Sequence, residues 1–343
     1  MKMKKLFSYP AYCPGKDTLR SRRMTFSWVC LVCGALLILT PLSAGTALAH
    51  EADPHPHAED SAVKDTKYKH PEHGSLGQVG AKLANPLSDV WALNTSFNMP
   101  QFYDGDVNTG DPQLGATLLF QPILPIPIHG SGDGEWRLAS RPVIPIIFSE
   151  PIPTGFDDFD HKGGIGDIQL PLLLNLPDRY SGNFLLGAGA VGLLPTATDD
   201  DLGQDQWALG PAVVLGYKTK FLTAGVFPNY FWKVGSSGQD DDTPDISQGS
   251  LLYFCIVNLP NAWQVGFNPT ITYNHQADSG NKWNVPVGLF AGKTIKIGKL
   301  PVNIKAGLEY SVVSPDAFGQ RAQFRFQITP VIPSLIKNPI FGK

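Results

Sequence analysis

The chain has 343 residues with a formal net charge of −3, and only 17% of them are charged, a low fraction for a soluble surface. Its 35 glycines and 30 prolines exceed the average expectation of about 24 and about 17. They follow no period and alternate with apolar residues, which excludes a collagen-like chain and argues against disorder. No run of 18 or more apolar residues follows residue 50, so a helical membrane span is excluded there.

The first 49 residues resemble an export signal. Seven Lys and Arg residues precede the apolar stretch Phe26–Leu39, and Ala47–Ala49 supplies a small-x-small cleavage pattern. This order predicts a cleaved signal peptide over 1–49, with His50 as the first mature residue; an N-terminal membrane anchor is the alternative. Cleavage leaves 20 basic and 29 acidic side chains, a net charge of −9 that argues against nucleic acid as a partner. Only Cys255 remains, so no disulfide can form within the mature chain.

Residues 50–85 are predicted to form a polar, His-rich tail that continues into a Gly-rich bridge. His50, His55 and His57 are weak candidate ligands for Zn, Cu or Ni. Prolines and the lack of apolar periodicity mean that no rigid metal site is pre-formed. The other interpretation is a flexible periplasmic tail with no ligand.

Residues 86–334 alternate between about twelve amphipathic segments and turn-rich connections, in which long and short connections follow each other strictly. The long ones are 102–112, 150–163, 195–206, 235–246, 275–282 and 313–320. The short ones lie near 129–134, 178–182, 218–221, 259–262 and 298–301. This alternation is typical of an up-and-down barrel in the outer membrane of a Gram-negative cell, with long loops outside and both termini in the periplasm. Residues 335–343 form a C-terminal tail.

Within the segments, apolar and polar residues alternate with period two. Phe324, Phe326 and Ile328, for example, alternate with glutamines, arginine and threonine, and several segments reach ten residues or more. A soluble β-sandwich would alternate as well. Trp and Tyr near the segment ends, and a small, amide-rich opposite face, favour an all-β, up-and-down antiparallel transmembrane barrel of about twelve strands. Prolines such as Pro122 and Pro142 predict that the second and third strands are short or kinked.

Short segments spread over the mature chain resemble one family of bacterial proteins. They are LANPLSDVWAL (83–93), RPVIPIIF (141–148), GIGD (164–167), GLLPTATDDD (192–201), WALGP (207–211), WNVP (283–286) and KIGKLPV (296–302). Their order is similar to that in the outer-membrane barrel family labelled "MetA-pathway of phenol degradation" or transporter-like. The resemblance implies an exported barrel with a transport role, and it carries over no catalytic residue.

Charged and amide side chains on the predicted inner face are the candidate solute contacts, because charges facing lipid would cost about 2–4 kcal/mol each. The predicted lumen-lining residues are Lys305, Glu309, Arg325, Asn268, Asn303, Gln323 and Gln327. They would form a charge-selective constriction, or alternatively a structural ion pair that braces the wall. Folding the last hairpin is expected to bring Glu309 opposite Arg325 or Gln323.

The predicted outer loops carry most of the acid, including Asp199, Asp200, Asp201, Asp240, Asp241 and Asp242. Such a rim would hold divalent cations or concentrate cationic solutes; the other interpretation is that Asp is common in solvated turns. No catalytic motif occurs, so neither an enzyme nor a cofactor is expected. The sequence therefore predicts an outer-membrane barrel that passes or binds an unidentified small solute. A non-conducting structural or surface-binding barrel is the alternative.

Overall fold

A computed structural model describes residues 76–236 and 244–342. Strands dominate these residues. The helices are α1 (Leu76–Ala84) and α2 (Asp178–Ser181), with short 3-10 turns at Gly132–Gly134, Asp200–Leu202 and Pro260–Ala262. The strand segments are β1 (Ala92–Asp104), β2 (Gln113–His129), β3 (Trp136–Ser140), β4 (Ile144–Gly155), β5 (Asp158–Ile165), β6 (Ile168–Asn175), β7 (Phe184–Leu194), β8 (Gln206–Lys218), β9 (Leu222–Ser236), β10 (Ser247–Asn258), β11 (Trp263–Phe267), β12 (Thr270–Asn274), β13 (Trp283–Ile297), β14 (Leu300–Val313) and β15 (Gly319–Pro330).

All strand segments belong to one antiparallel sheet that closes on itself. Strand β1 pairs with β2 on one side and with β15 on the other, so the first and last strands meet. The barrel has twelve full-length strands, or staves. Three of these staves consist of two segments each, namely β3 with β4, β5 with β6, and β11 with β12. The predicted closed barrel of twelve antiparallel strands is therefore confirmed.

Proline breaks the staves at two of these interruptions, because it lacks the N–H donor that a ladder needs. Pro142 lies between β3 and β4, and Pro269 lies between β11 and β12. The predicted disturbance of the third strand is confirmed. The second strand, in contrast, runs through three prolines from Gln113 to His129 without a break.

The prediction of a long loop over residues 150–163 was wrong. Strands β4 and β5 continue through it as a hairpin, with Ile152 opposite Asp160, and turn at residues 156–157. At the turn Asp157 has a φ of 55°. Hydrogen bonds from the Thr109 hydroxyl and amide hold the pKa of the Asp157 carboxyl below its usual range. The aspartates that indicated a loop therefore lie on a hairpin, and this hairpin is hydrogen-bonded to the loop between β1 and β2.

Side-chain burial separates the inside of the barrel from the outside. Along β8, Gln206, Ala208, Ala212 and Val214 are buried, whereas the alternate residues Trp207, Leu209 and Leu215 are exposed and apolar. Leu289 and Leu308 are 72% and 65% exposed on other strands, as expected of a surface that faces lipid. Exposed aromatic residues gather near both ends of the strands: Trp207, Trp232, Trp283 and Tyr310 toward the long loops, and Phe184, Tyr217, Phe221 and Trp263 toward the tight turns.

Residues 76–84, which the sequence analysis assigned to a bridge, form helix α1. No helix in the described part of the chain is long and apolar enough to cross a membrane. The predicted signal peptide, the His-rich segment 50–75 with His50, His55 and His57, and the loop aspartates Asp240, Asp241 and Asp242 lie outside the described residues.

Candidate solute site in the barrel lumen

The interior of the barrel has two walls of different chemistry. An apolar wall is formed by buried side chains of β6 to β10, namely Leu173, Leu185, Val191, Leu193, Ala208, Ala212, Val214, Phe231 and Phe254. A polar wall is formed by buried side chains of β1, β11 and β13 to β15, namely Asn94, Ser96, Asn98, Gln101, Gln264, Thr294, Asn303, Lys305, Gln323 and Thr329. The lumen is therefore amphipathic across its width.

A central cavity of about 270 Å³ lies between the two walls. Leu173, Val191, Phe227 and Leu252 contribute apolar surface to its lining. The polar part of the lining comes from Asn94, Ser96, Gln121, Arg141, Gln169, Asn229, Ser250, Asn268, Thr270, Arg325 and Gln327. A smaller cavity of about 40 Å³ adjoins it and shares Asn94, Arg141, Asn268 and Gln327, with Lys305 added.

Glu309 and Arg325 form an ion pair inside the barrel. Arg325 Nη1 lies 2.8 Å from Glu309 Oε1, and Gln323 donates a hydrogen bond of 2.6 Å to Glu309 Oε2. The register places Glu309 opposite Gln323 and Arg325 opposite Gly307, so the arginine reaches the carboxylate diagonally past a glycine. The pair is largely shielded, with side chains 22% and 9% exposed.

The other predicted lumen-lining residues also lie on the inner face. Lys305 is buried opposite Gln327, and its ammonium lies 4.7 Å above the ring centre of Phe290. Asn303 donates to Gln264 and Thr294 at 3.0 and 2.9 Å. Asn268 lines the central cavity together with Gln327, whose amide donates to Asn94. Whether these residues contact a solute stays a prediction.

Arg141 is a charged lumen residue that was not predicted from the sequence, and polar residues such as Asn94 and Gln121 were not predicted either. Arg141 lies in the break between β3 and β4, and its Nη2 donates a 3.0 Å hydrogen bond to Gln121 Oε1. It lines both cavities, the larger together with Arg325 and the smaller together with Lys305. A basic residue inside a stretch of membrane-spanning length was the available signal, because lipid exposure of that charge is unfavourable.

Helix α1 lies inside the barrel near the tight turns. A Cβ atom on Gly80 would sit only 2.8 Å from Thr294 Oγ1 and 3.4 Å from the Gln264 side chain, so the helix approaches the polar wall closely. Leu83 and Ala84 line the smaller cavity, and Leu87, which follows the helix, packs into the apolar wall. The helix therefore contacts both walls and narrows this end of the lumen.

The opposite end is bordered by the acidic loop 195–205. Asp167 accepts backbone hydrogen bonds from Thr196, Ala197 and Gln204 at 3.1, 3.1 and 2.7 Å. Lys162 Nζ lies 3.6 Å from Asp199 and 3.7 Å from Asp201. These contacts fix the loop and offset part of its charge, while Asp200 begins its short 3-10 turn. Within residues 76–236 and 244–342, no group of three or more acidic, His or Cys side chains is arranged to hold a metal ion.

Comparison with known proteins gives structural similarity without sequence similarity. No family model and no curated protein matches the sequence. The COG4313 outer membrane channel from Pseudomonas putida F1 superposes with a TM-score of 0.53 at 12% identity, covering 72% of this chain and 97% of the channel. The NanC porin has a TM-score of 0.42 at 11% identity (71% and 99% covered), and the P. putida toluene transporter TodX one of 0.34 at 10% (74% and 92%). With its closed sheet and apolar outer surface, the chain has the fold of an outer-membrane β-barrel.

Proposed function

We propose that the protein is an outer-membrane channel for small solutes. The central cavity carries this proposal, because a barrel with a purely mechanical role has no need of an open, mixed polar and apolar space between its walls. The cavity lies along the axis that a solute would follow, between the acidic loop and helix α1. Its volume of about 270 Å³ favours molecules of modest size.

We further infer membership in the family labelled "MetA-pathway of phenol degradation", because the segments that resemble it are structurally important in this barrel. The segment 83–93 joins α1 to β1, and 141–148 contains Arg141 and Val143 of the cavity lining. The segment 164–167 ends with Asp167, which fixes the outer loop.

Helix α1 favours the alternative, a barrel that binds ligands or partners without conducting. It fills part of the lumen and contacts both walls, so the lumen is narrow at the end near the tight turns. Conduction requires that α1 moves or that the solute passes beside it. This difference between the two functions is directly measurable.

An enzymatic role has little support. The nearest arrangement to a catalytic one is Ser149 Oγ at 2.8 Å from His161 Nδ1, on the hairpin of β4 and β5. Within the described residues, His161 has no hydrogen bond to a carboxylate or amide that would orient it, as a hydrolase requires. We therefore propose that the protein is not an enzyme.

Purified protein in planar lipid bilayers tests the channel proposal. A channel gives stepwise conductance that scales with protein concentration and salt. A properly folded barrel, verified by heat-modifiable migration in electrophoresis, that stays silent in several salts would contradict conduction and support the binding alternative.

A further inference from the structure

We propose that the central cavity is a binding site for a small organic anion, with its carboxylate at Arg141 and Arg325 and its aromatic or aliphatic body against the apolar wall. The inference rests on the proposed function in one respect, since it names the solute class of the same lumen. It also makes a claim about binding that holds whether or not the barrel conducts.

The two adjoining cavities carry more positive than negative charge. Arg141, Lys305 and Arg325 bring three cations to them, and Glu309 forms an ion pair with only one of these, Arg325. Among the described residues, no carboxylate lies within ion-pair distance of Arg141 or Lys305. Charge that is shielded from water is unfavourable unless it is paired, so this part of the lumen favours an incoming anion.

Both arginines keep N–H donors that have no partner among the described residues. A guanidinium carries five N–H donors in a planar fork that matches the two oxygens of a carboxylate. Arg141 uses Nη2 for Gln121, and its remaining donors have no partner in the described part of the protein. Arg325 Nε is buried and has no hydrogen-bond partner within residues 76–236 and 244–342, although both terminal nitrogens contact Glu309. Both arginines line the central cavity.

The rest of the ligand would meet the apolar part of the cavity lining. Leu173, Val191, Phe227 and Leu252 present apolar surface to the same cavity that the two arginines line. A fully polar anion such as phosphate would leave this surface without a matching contact, whereas an uncharged hydrocarbon would leave Arg141 and Lys305 without an anion. A monocarboxylate with an apolar body satisfies both sides, and the cavity volume of about 270 Å³ limits that body to roughly one ring or a short chain.

Equilibrium binding to the detergent-purified, full-length barrel tests the site by isothermal titration calorimetry with two probes of equal shape. The probes are 3-phenylpropanoate and its neutral analogue 3-phenylpropanol. We expect the acid to bind about tenfold tighter or better, because only the acid can accept the charged hydrogen bonds of the arginines. Increasing the ionic strength should weaken the acid more than the alcohol.

The Arg141→Gln variant should lose most of the preference for the acid, leaving the two probes within about twofold of each other. The matched control is Arg137→Gln, four residues earlier on the same stave, where the arginine is paired with Glu135 at 2.5 Å and lies outside the central cavity. This control should keep the full preference. If Arg141→Gln does not fold, Arg141→Lys is the substitute, because it keeps the charge but lacks the planar set of guanidinium donors. It should bind the acid with an affinity between those of the original protein and of a variant without the charge.

Equal affinity for acid and alcohol, no binding of either probe, or an unchanged preference in folded Arg141→Gln would each overturn the proposal. Preference for chloride or inorganic phosphate over the organic acid would overturn it as well, because it would assign the cations to inorganic anions. The channel proposal is judged separately by conductance: a silent barrel that binds the acid through Arg141 contradicts conduction alone, and a conducting barrel without acid preference contradicts the anion site alone.

Discussion

The polar wall and the apolar wall of the lumen differ in how their structure is held together. In the polar wall, Asn303 bonds to both Gln264 and Thr294, and Glu309 to Gln323 and Arg325, so each side chain has a fixed orientation. In the apolar wall, Leu185, Val191 and Val214 only pack, and packing tolerates a change of shape better than a hydrogen-bond network tolerates a missing partner. One wall therefore fixes position and charge, whereas the other supplies an adaptable surface.

The largest effect is expected from replacing Gly80, where helix α1 meets the polar wall. Gly80→Leu would place a Cβ atom 2.8 Å from Thr294 Oγ1 and add three further carbons, so we expect the helix to shift away from the polar wall. If the channel proposal is right, single-channel conductance should rise several-fold, because the narrowed end opens. Lys82→Ala is the control on the same helix: it removes an exposed ion pair with Asp89, which follows the helix, and should conduct like the original protein. Unchanged conductance in Gly80→Leu would mean that the helix does not limit flow.

The second prediction separates the charge of the polar wall from its packing. Arg325→Gln leaves Glu309 without its cation and should lower the free energy of unfolding by about 3–5 kcal/mol, as measured by urea denaturation in detergent. The Glu309→Gln/Arg325→Gln double variant should recover a good part of that loss, because no buried charge is left unpaired. If the stability lost by the double variant equals the sum of the losses in Arg325→Gln and Glu309→Gln, the two side chains are not coupled.

The third prediction tests whether the neutral hydrogen bonds of the polar wall are also important. Thr294→Val has nearly the same shape but leaves the Asn303 amide with one acceptor fewer, which should cost about 1–3 kcal/mol. Thr272→Val is the matched control, because Thr272 is exposed on β12. Its unfolding midpoint should stay within error of the original, and an equal shift in both variants would refute an ordered polar wall.

The two walls also differ in how far they could be predicted from the sequence. On β14 and β15 the alternation of Glu309, Arg325 and amides with apolar residues identified the inner face, because these charges cannot face lipid. On β7 and β8 apolar or small residues stand on both faces, so no periodicity distinguishes lumen from lipid. Arg141 was missed because it lies in a break beside Pro142, outside any alternating run.

Helix α1 and the β4–β5 hairpin could not be predicted for different reasons. The nine residues of α1 contain Gly77 and Gly80, which are poor helix formers, and the helix is stabilised by contacts with distant strands. The turn and strand β5 of the hairpin carry Asp157, Asp158 and Asp160, residues that favour turns. The pairing of β5 with β4 overrides that local preference. Both errors occur where tertiary contacts decide the local structure.

The last prediction contrasts the two walls within one binding experiment and has the smallest expected effect. Val191 lines the central cavity from the apolar wall and is only 2% exposed, so Val191→Thr places a hydroxyl of similar size among the apolar side chains of that wall. The hydroxyl weakens contact with the apolar body of a ligand, and 3-phenylpropanoate and 3-phenylpropanol should therefore lose a similar factor of about two to ten in affinity. Arg141→Gln should instead weaken the acid alone. If Val191→Thr discriminates between the two probes as Arg141→Gln does, the walls do not divide the tasks of charge and apolar contact, and the amphipathic division of the lumen has no functional meaning.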